Sequence, residues 1–355
     1  MDKKKLISLF LVFGLTSKLA FASLDESGLE ISAAADIVGE MGFQDSGVQD
    51  RFYVRSAELL LYGPTDYLFQ ARLSLGAHPY QGEMNFGLHE AFVSSSRLIP
   101  RTRFQLGQFF LGVGRLNALH QHDWPFISTP IVQENFFDGE GILDTGLQAS
   151  VLMPTPFYLD LTFGITNGWR ITHSHGDMGA KPKIPTHYLR AEFFKDWESG
   201  GLKYALNYLG RRDAESTWLF MSGLDVVAKW RQSRLLKWMI QSEVWSRTQK
   251  PKNERASTEI GSYIFAQYAL NQNYFVGLRF DAFSNLDLQN ASAEKLTNWQ
   301  FEASPQVLYE LSEFSRFRVA YAFENRFEEG KKTEYGHRLE CQIVFILGAH
   351  PAHEF

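Results

Sequence analysis

From residue 29 onward the chain repeats one unit: a run of about ten residues in which apolar and other side chains alternate, closed by a turn-rich segment. In order, these runs predict strands at 29–40, 50–62, 66–76, 85–95, 102–109, 145–153, 156–166 and 186–196. Eight more are predicted at 201–209, 219–231, 234–246, 257–269, 272–283, 298–310, 314–326 and 335–347. Within 314–326, Phe317, Val319, Tyr321 and Phe323 share one face, and Arg318, Ala320, Ala322 and Glu324 share the other. In 272–283, Tyr274, Val276, Leu278 and Phe280 oppose Arg279 and Asp281 in the same way. Period two alone also suits a soluble sandwich. The connections separate the two cases, because they alternate in length. Those at Gly63–Thr65, Met153–Pro156, Arg231–Arg234 and Leu270–Gln272 are tight, whereas 167–185, 247–256, 284–297 and 327–334 are long and polar. This alternation predicts an all-β, transmembrane, antiparallel up-and-down barrel of about sixteen strands. An even strand count brings both chain ends to the side of the short turns, the periplasm. A barrel of this size leaves an aqueous channel.

The N-terminus is consistent with export to a membrane. Lys3, Lys4 and Lys5 precede an apolar run from Leu6 to Leu15, and Ala20-Phe21-Ala22 supplies small residues where a signal peptidase cuts. Residues 1–22 therefore read as a cleaved secretory signal of the Sec type, 23–347 as the barrel, and 348–355 as a short periplasmic tail. The tail reading follows from Pro351, which cannot donate to a strand ladder. The rest of the chain has no apolar stretch near the roughly twenty residues a spanning helix needs, so membrane residence falls to strands. Aromatic residues make up 15% of the chain, while the mean hydropathy is slightly negative. A lipid face combined with a wet lumen accounts for both. The net charge of -5 argues against a nucleic-acid partner, and Cys341, the only cysteine, excludes an intramolecular disulfide.

The rhythm breaks for longest between Phe110 and Asp144, a segment that starts on the extracellular side. Loops of this length in compact proteins are usually functional. This one runs Gly112-Val113-Gly114-Arg115-Leu116-Asn117, then His120-Gln121-His122-Asp123-Trp124-Pro125-Phe126, and later carries Glu134, Asp138, Glu140 and Asp144.

Gly114–Asn117, His120–Phe126, Glu140-Gly141 and Asp144-Thr145-Gly146, with the ending Gly348–Phe355, resemble a family of uncharacterised porin-like outer-membrane proteins. Some members of that family are linked to zinc, and the wider group is similar to phosphate-selective porins. The likeness extends over most of the chain in rhythm, but in specific motif it covers only this loop and the tail. It implies a cell outer-membrane location among lipids and lipopolysaccharide, and insertion by the barrel-assembly machinery, for which Phe355 would be the terminal aromatic signal. It also implies a homotrimer and passage of small hydrophilic solutes. In general porins a long loop folds into the lumen and narrows it. The same resemblance implies a constriction formed here by Arg115, Asp123, Glu134, Asp138 and Glu140.

Three histidine pairs stand out: His120 with His122, His173 with His175, and His350 with His353. Imidazoles with a nearby carboxylate such as Asp123 or Asp177 suit zinc, copper or nickel. On a strand, residues two apart share a face, so each H-x-H pair could present both rings together. Ten histidines in one chain also form close pairs by chance, and rim histidines are stable in water without a ligand. The first reading is therefore no cofactor, with zinc at His120, His122, His173 and His175 as the second. No G-x-S-x-G elbow, H-E-x-x-H helix or P-loop is present, so the sequence gives no reason to expect an enzyme. The functional expectation is a passive, loop-narrowed pore. The alternatives are a metal-associated pore or receptor, and a structural or adhesive barrel without transport.

Overall fold

A computed structural model describes residues 28–44, 47–48, 50–80, 83–168, 180–233, 235–289 and 294–348. The signal segment, His173, His175, Asp177 and the tail from 349 lie outside the described residues.

Sixteen antiparallel strands close into one barrel, each pairing with its neighbours in the chain. They are β1 (Glu30–Gln44), β2 (Arg51–Pro64), β3 (Gln70–Tyr80), β4 (Glu83–Ser95), β5 (Thr102–Phe110), β6 (Leu143–Leu152), β7 (Tyr158–Thr166) and β8 (Ile184–Trp197). The second half holds β9 (Gly200–Arg212), β10 (Trp218–Gln232), β11 (Leu235–Lys250), β12 (Ser257–Ala269), β13 (Tyr274–Asn285), β14 (Asn298–Ser312), β15 (Ser315–Glu328) and β16 (Glu334–Gly348). β1 closes the ring on β16, with Ser32 opposite Gly348 and Gln44 opposite Gly336. Closure gives every strand a partner on both sides, which is the condition for a sheet to survive in hydrocarbon.

The period-two pattern sorts side chains between two media. Phe317, Val319, Tyr321, Leu339, Ile343 and Phe345 point outward, while Arg318, Glu340 and Gln342 are buried inside. Aromatic clusters ring the outer surface near both rims. Trp238–Tyr268 and Tyr274–Tyr309 lie at the short-turn end, and Trp299 stacks on Phe301 and Phe327 at the other. Girdles of this kind mark the two membrane–water interfaces of such barrels.

All sixteen expected strands are present, with one displaced. β3 begins at Gln70 and not at 66, because Asp66 builds the preceding turn. Its carboxylate accepts hydrogen bonds from the backbone N–H of Leu68 (2.6 Å) and Phe69 (2.9 Å). This is the local bonding that makes Asp a turn former.

Two bulges have consequences inside the barrel. Between β1 and β2, Asp36 faces Ser56 while Ile37 faces Val54, so Arg55 is the extra residue. Between β3 and β4, Ser74 faces Glu90 while Leu75 faces Leu88, so His89 is extra. An extra residue breaks the alternation. Arg55 and Ser56 therefore both turn inward, as do His89 and Glu90.

Leu278 sits on the lipid face, so Leu278→Arg is expected to destabilise the folded barrel by about 2–4 kcal/mol. Leu278→Phe is expected to be tolerated. Denaturant titration of the two variants in lipid vesicles measures the difference.

Candidate functional site

The segment between β5 and β6, residues 111–142, enters the lumen and packs there. It contains a short α-helix, α1 (Ile131–Phe137), and two single 3-10 turns at Leu116–Ala118 and Gln121–Asp123. Leu111, Val113, Leu116, Trp124, Phe126, Val132, Phe136 and Phe137 form the main apolar core with Leu209, Met221, Trp245, Tyr263 and Phe265 of the wall. Phe126 meets the rings of Tyr263 and Phe265 edge-on, and the Arg279 guanidinium lies 4.7 Å from its centroid.

A buried loop must find partners for its backbone, and the wall supplies them. Gln148 accepts from the Gly112 N–H at 3.2 Å, Asn207 from Gly114 at 3.0 Å and Glu243 from Leu116 at 2.9 Å. Arg55 donates to the Ile127 carbonyl, Arg279 to that of Ser128, and Gln306 to that of Pro125 at 2.7 Å. Gly114 has φ +70, and a Cβ there would lie 2.8 Å from a Glu243 carboxylate oxygen, so this close approach needs glycine. Asn117 ties the two ends of the loop together. Its amide donates to the Leu111 carbonyl at 2.7 Å, and its Oδ1 accepts from the Ile142 N–H at 2.6 Å.

Beside the loop a cavity of about 800 Å³ remains, bounded by β1 to β9 at the short-turn side. Six cationic side chains line it (Arg72, Arg101, Arg103, Arg115, Arg190 and Lys203), against the four carboxylates of Glu30, Glu90, Asp160 and Glu192. Arg190 is held by Asp225 (2.5 Å) and Glu192 (2.9 Å).

The five residues expected to form the constriction are distributed over three places. Arg115 points to the cavity and donates to Gln241 at 3.1 Å. Asp123 sits between His122 (3.3 Å) and Arg316 (3.5 Å). Glu134, Asp138 and Glu140 stay close enough to repel one another: burial first, then the charges of Asp138 and Glu140, raise the Glu134 pKa.

His120 and His122 come together, with their rings stacked 5.7 Å apart. Their surroundings come from the wall. His120 Nδ1 is 3.2 Å from Glu58 and Nε2 is 3.3 Å from Glu90. His122 Nδ1 is 3.6 Å from the same Glu58 oxygen. The His89 ring stacks on His120, and His89 Nε2 is 2.9 Å from His78 Nε2. Glu140 reaches His78 Nδ1 at 3.1 Å. Burial acts to lower the His120 pKa, but Glu58 and Glu90 overcome it and raise the pKa to about 9. Glu58, His78, His89 and Glu90 were not anticipated from sequence. Single residues on separate strands carry no spacing signal, and the bulge at His89 breaks the alternation that would place Glu90.

No protein-family profile matches the chain. An uncharacterised protein of Aquifex aeolicus is 26% identical over 342 residues, which span 86% of this chain and 70% of that protein. Solved structures give the decisive likeness. The outer membrane channel DcaP of Acinetobacter baumannii superposes over 90% of this chain and 98% of its own, with a TM-score of 0.62 and 11% identity. The fold is that of outer-membrane porins. An anion-selective porin from Comamonas acidovorans matches 90% of this chain and 99% of its own at a TM-score of 0.61 and 11% identity. OprB of Pseudomonas putida matches 94% and 97% at a TM-score of 0.59 and 7% identity.

Replacing Asn117 by Ala strands a buried N–H and a buried carbonyl, a loss of about 1–3 kcal/mol. Denaturant unfolding is expected to show that loss, and limited proteolysis is expected to cut the variant between 111 and 142 faster than the parent.

Proposed function

We propose that the chain is an outer-membrane channel through which small hydrophilic solutes diffuse passively along a lumen narrowed by loop 111–142. The observation that carries this reading is the loop itself, held inside the barrel beside a charged cavity of about 800 Å³. A filled lumen would leave a structural or adhesive barrel; a charge-lined cavity beside the loop favours transport. The narrowing involves Arg115 with the cavity charges and not the five loop residues acting as one ring. Six cations against four carboxylates favour anions over cations in the passage.

The reading brings with it export by the Sec signal at 1–22 and both chain ends in the periplasm. It also includes insertion by the barrel-assembly machinery among lipids and lipopolysaccharide, and assembly as a homotrimer.

Single-channel recording in planar bilayers tests it. Discrete conductance steps are expected, with a reversal potential in a salt gradient displaced toward the anion. Arg103→Glu, which replaces a cation of the cavity lining, is expected to move that potential toward the cation side. A correctly folded barrel with no steps would overturn the channel reading.

A further inference from the structure

We propose that Glu58, His89 and His120, completed by His78, bind one divalent transition-metal cation of the zinc class at the contact between the lumen loop and the wall. The inference goes beyond the channel reading and does not require that any solute pass.

Convergence is the first ground. One ligand atom each from Glu58, His89 and His120 lies within 4.8 Å of the other two, the sole such group among the described residues. His78 lines the same small cavity, with its Nε2 2.9 Å from His89 Nε2. Donors around a tetrahedral zinc at about 2.0–2.1 Å stand about 3.4 Å apart, so shifts of roughly an ångström bring Glu58, His89 and His120 into place. A cavity of about 10 Å³, lined by Glu58, His78, His89 and His120 among others, has room for a single ion or water.

Donor chemistry is the second ground. Three imidazoles and one carboxylate form a borderline-soft set, suited to zinc and its neighbours and not to calcium or magnesium. The third ground is support. Ligating histidines usually hand their other ring nitrogen to a carboxylate. Here Glu90 stands 3.3 Å from His120 Nε2 and Glu140 stands 3.1 Å from His78 Nδ1, while Ser74 donates to Glu58. The backbone also makes a place for the site. The bulge turns His89 inward, and its ring occupies the space a Cβ on Gly76 would fill, 2.1 Å from the ring atoms. The four donors belong to β2, β3, β4 and the loop, so a bound cation would fasten the loop to the wall.

The test uses the full-length mature barrel, purified without a polyhistidine tag, stripped with EDTA and dialysed against zinc. One equivalent of zinc per chain is expected after dialysis, with a rise in melting temperature and slower proteolysis of the loop. Cobalt(II) is expected to give the intense visible absorption of a tetrahedral site. His89→Gln and Glu58→Gln, which keep side-chain volume, are expected to lose the equivalent, and Gly76→Ala to lose it by displacing His89. Glu90→Gln is expected to weaken affinity about 10–100-fold through His120. His187→Ala, outside the cluster, is expected to retain the full equivalent. Heat-modifiable mobility on gels identifies the variants that fold. Zinc retained equally by folded His89→Gln and Glu58→Gln, or no zinc held by the parent, would overturn the proposal. Conductance is not part of this readout, so the site and the channel reading fail separately.

Discussion

A polar backbone cannot be buried without partners, and the interior of this barrel is organised around that requirement. Loop 111–142 enters a space where water could otherwise serve it, and the wall replaces that water with side chains. Gln148, Asn207 and Glu243 accept from successive loop amides, while Arg55, Arg279 and Gln306 donate to loop carbonyls. Inward charges that would be costly in a packed core are therefore bound to a specific task. Arg279 shows the economy of the arrangement: it pairs with Asp281 at 2.7 Å and Glu302 at 2.5 Å, caps Phe126 and holds Ser128.

The same logic extends to the closing seam. Asp36 on β1 takes Arg55 from β2 at 2.9 Å and Gln342 from β16 at 3.0 Å, and Gln342 in turn takes Arg318 from β15 at 2.6 Å. First and last strands are thus joined by side chains as well as by the ladder. Apolar groups of the loop and wall pack on one side of the lumen, which leaves the charged cavity on the other.

Much of this architecture was legible in the sequence, because lipid outside and water inside impose a period that the chain must obey. Phe317, Val319 and Tyr321 against Arg318 displayed it without help from tertiary structure. Elements governed by local exceptions were not legible. The Asp66 turn delayed β3, and two bulges broke the alternation, so that Arg55 and Ser56, and likewise His89 and Glu90, both point inward. The histidine motif was half readable: His120-x-His122 stood out, whereas its neighbours Glu58, His78 and His89 meet it only through inter-strand register. The five loop charges lay together in sequence and separate in space, since a folded loop turns its side chains to several walls. His173 and His175 lie outside the described residues.

The order in which the loop and its supports are synthesised has a further consequence. Arg55 and the donors of β2 to β4 precede the loop in the chain, but Asn207, Glu243, Tyr263, Phe265, Arg279, Gln306 and Arg316 all follow it. A ribosome delivers the N-terminal half first. Leu111, Trp124, Phe126 and Phe137 therefore emerge well before the surfaces that cover them. During that interval the nascent chain carries an adhesive apolar stretch with no native place to go. Docking of the loop therefore waits for β9 to β15, and its native packing completes late in folding.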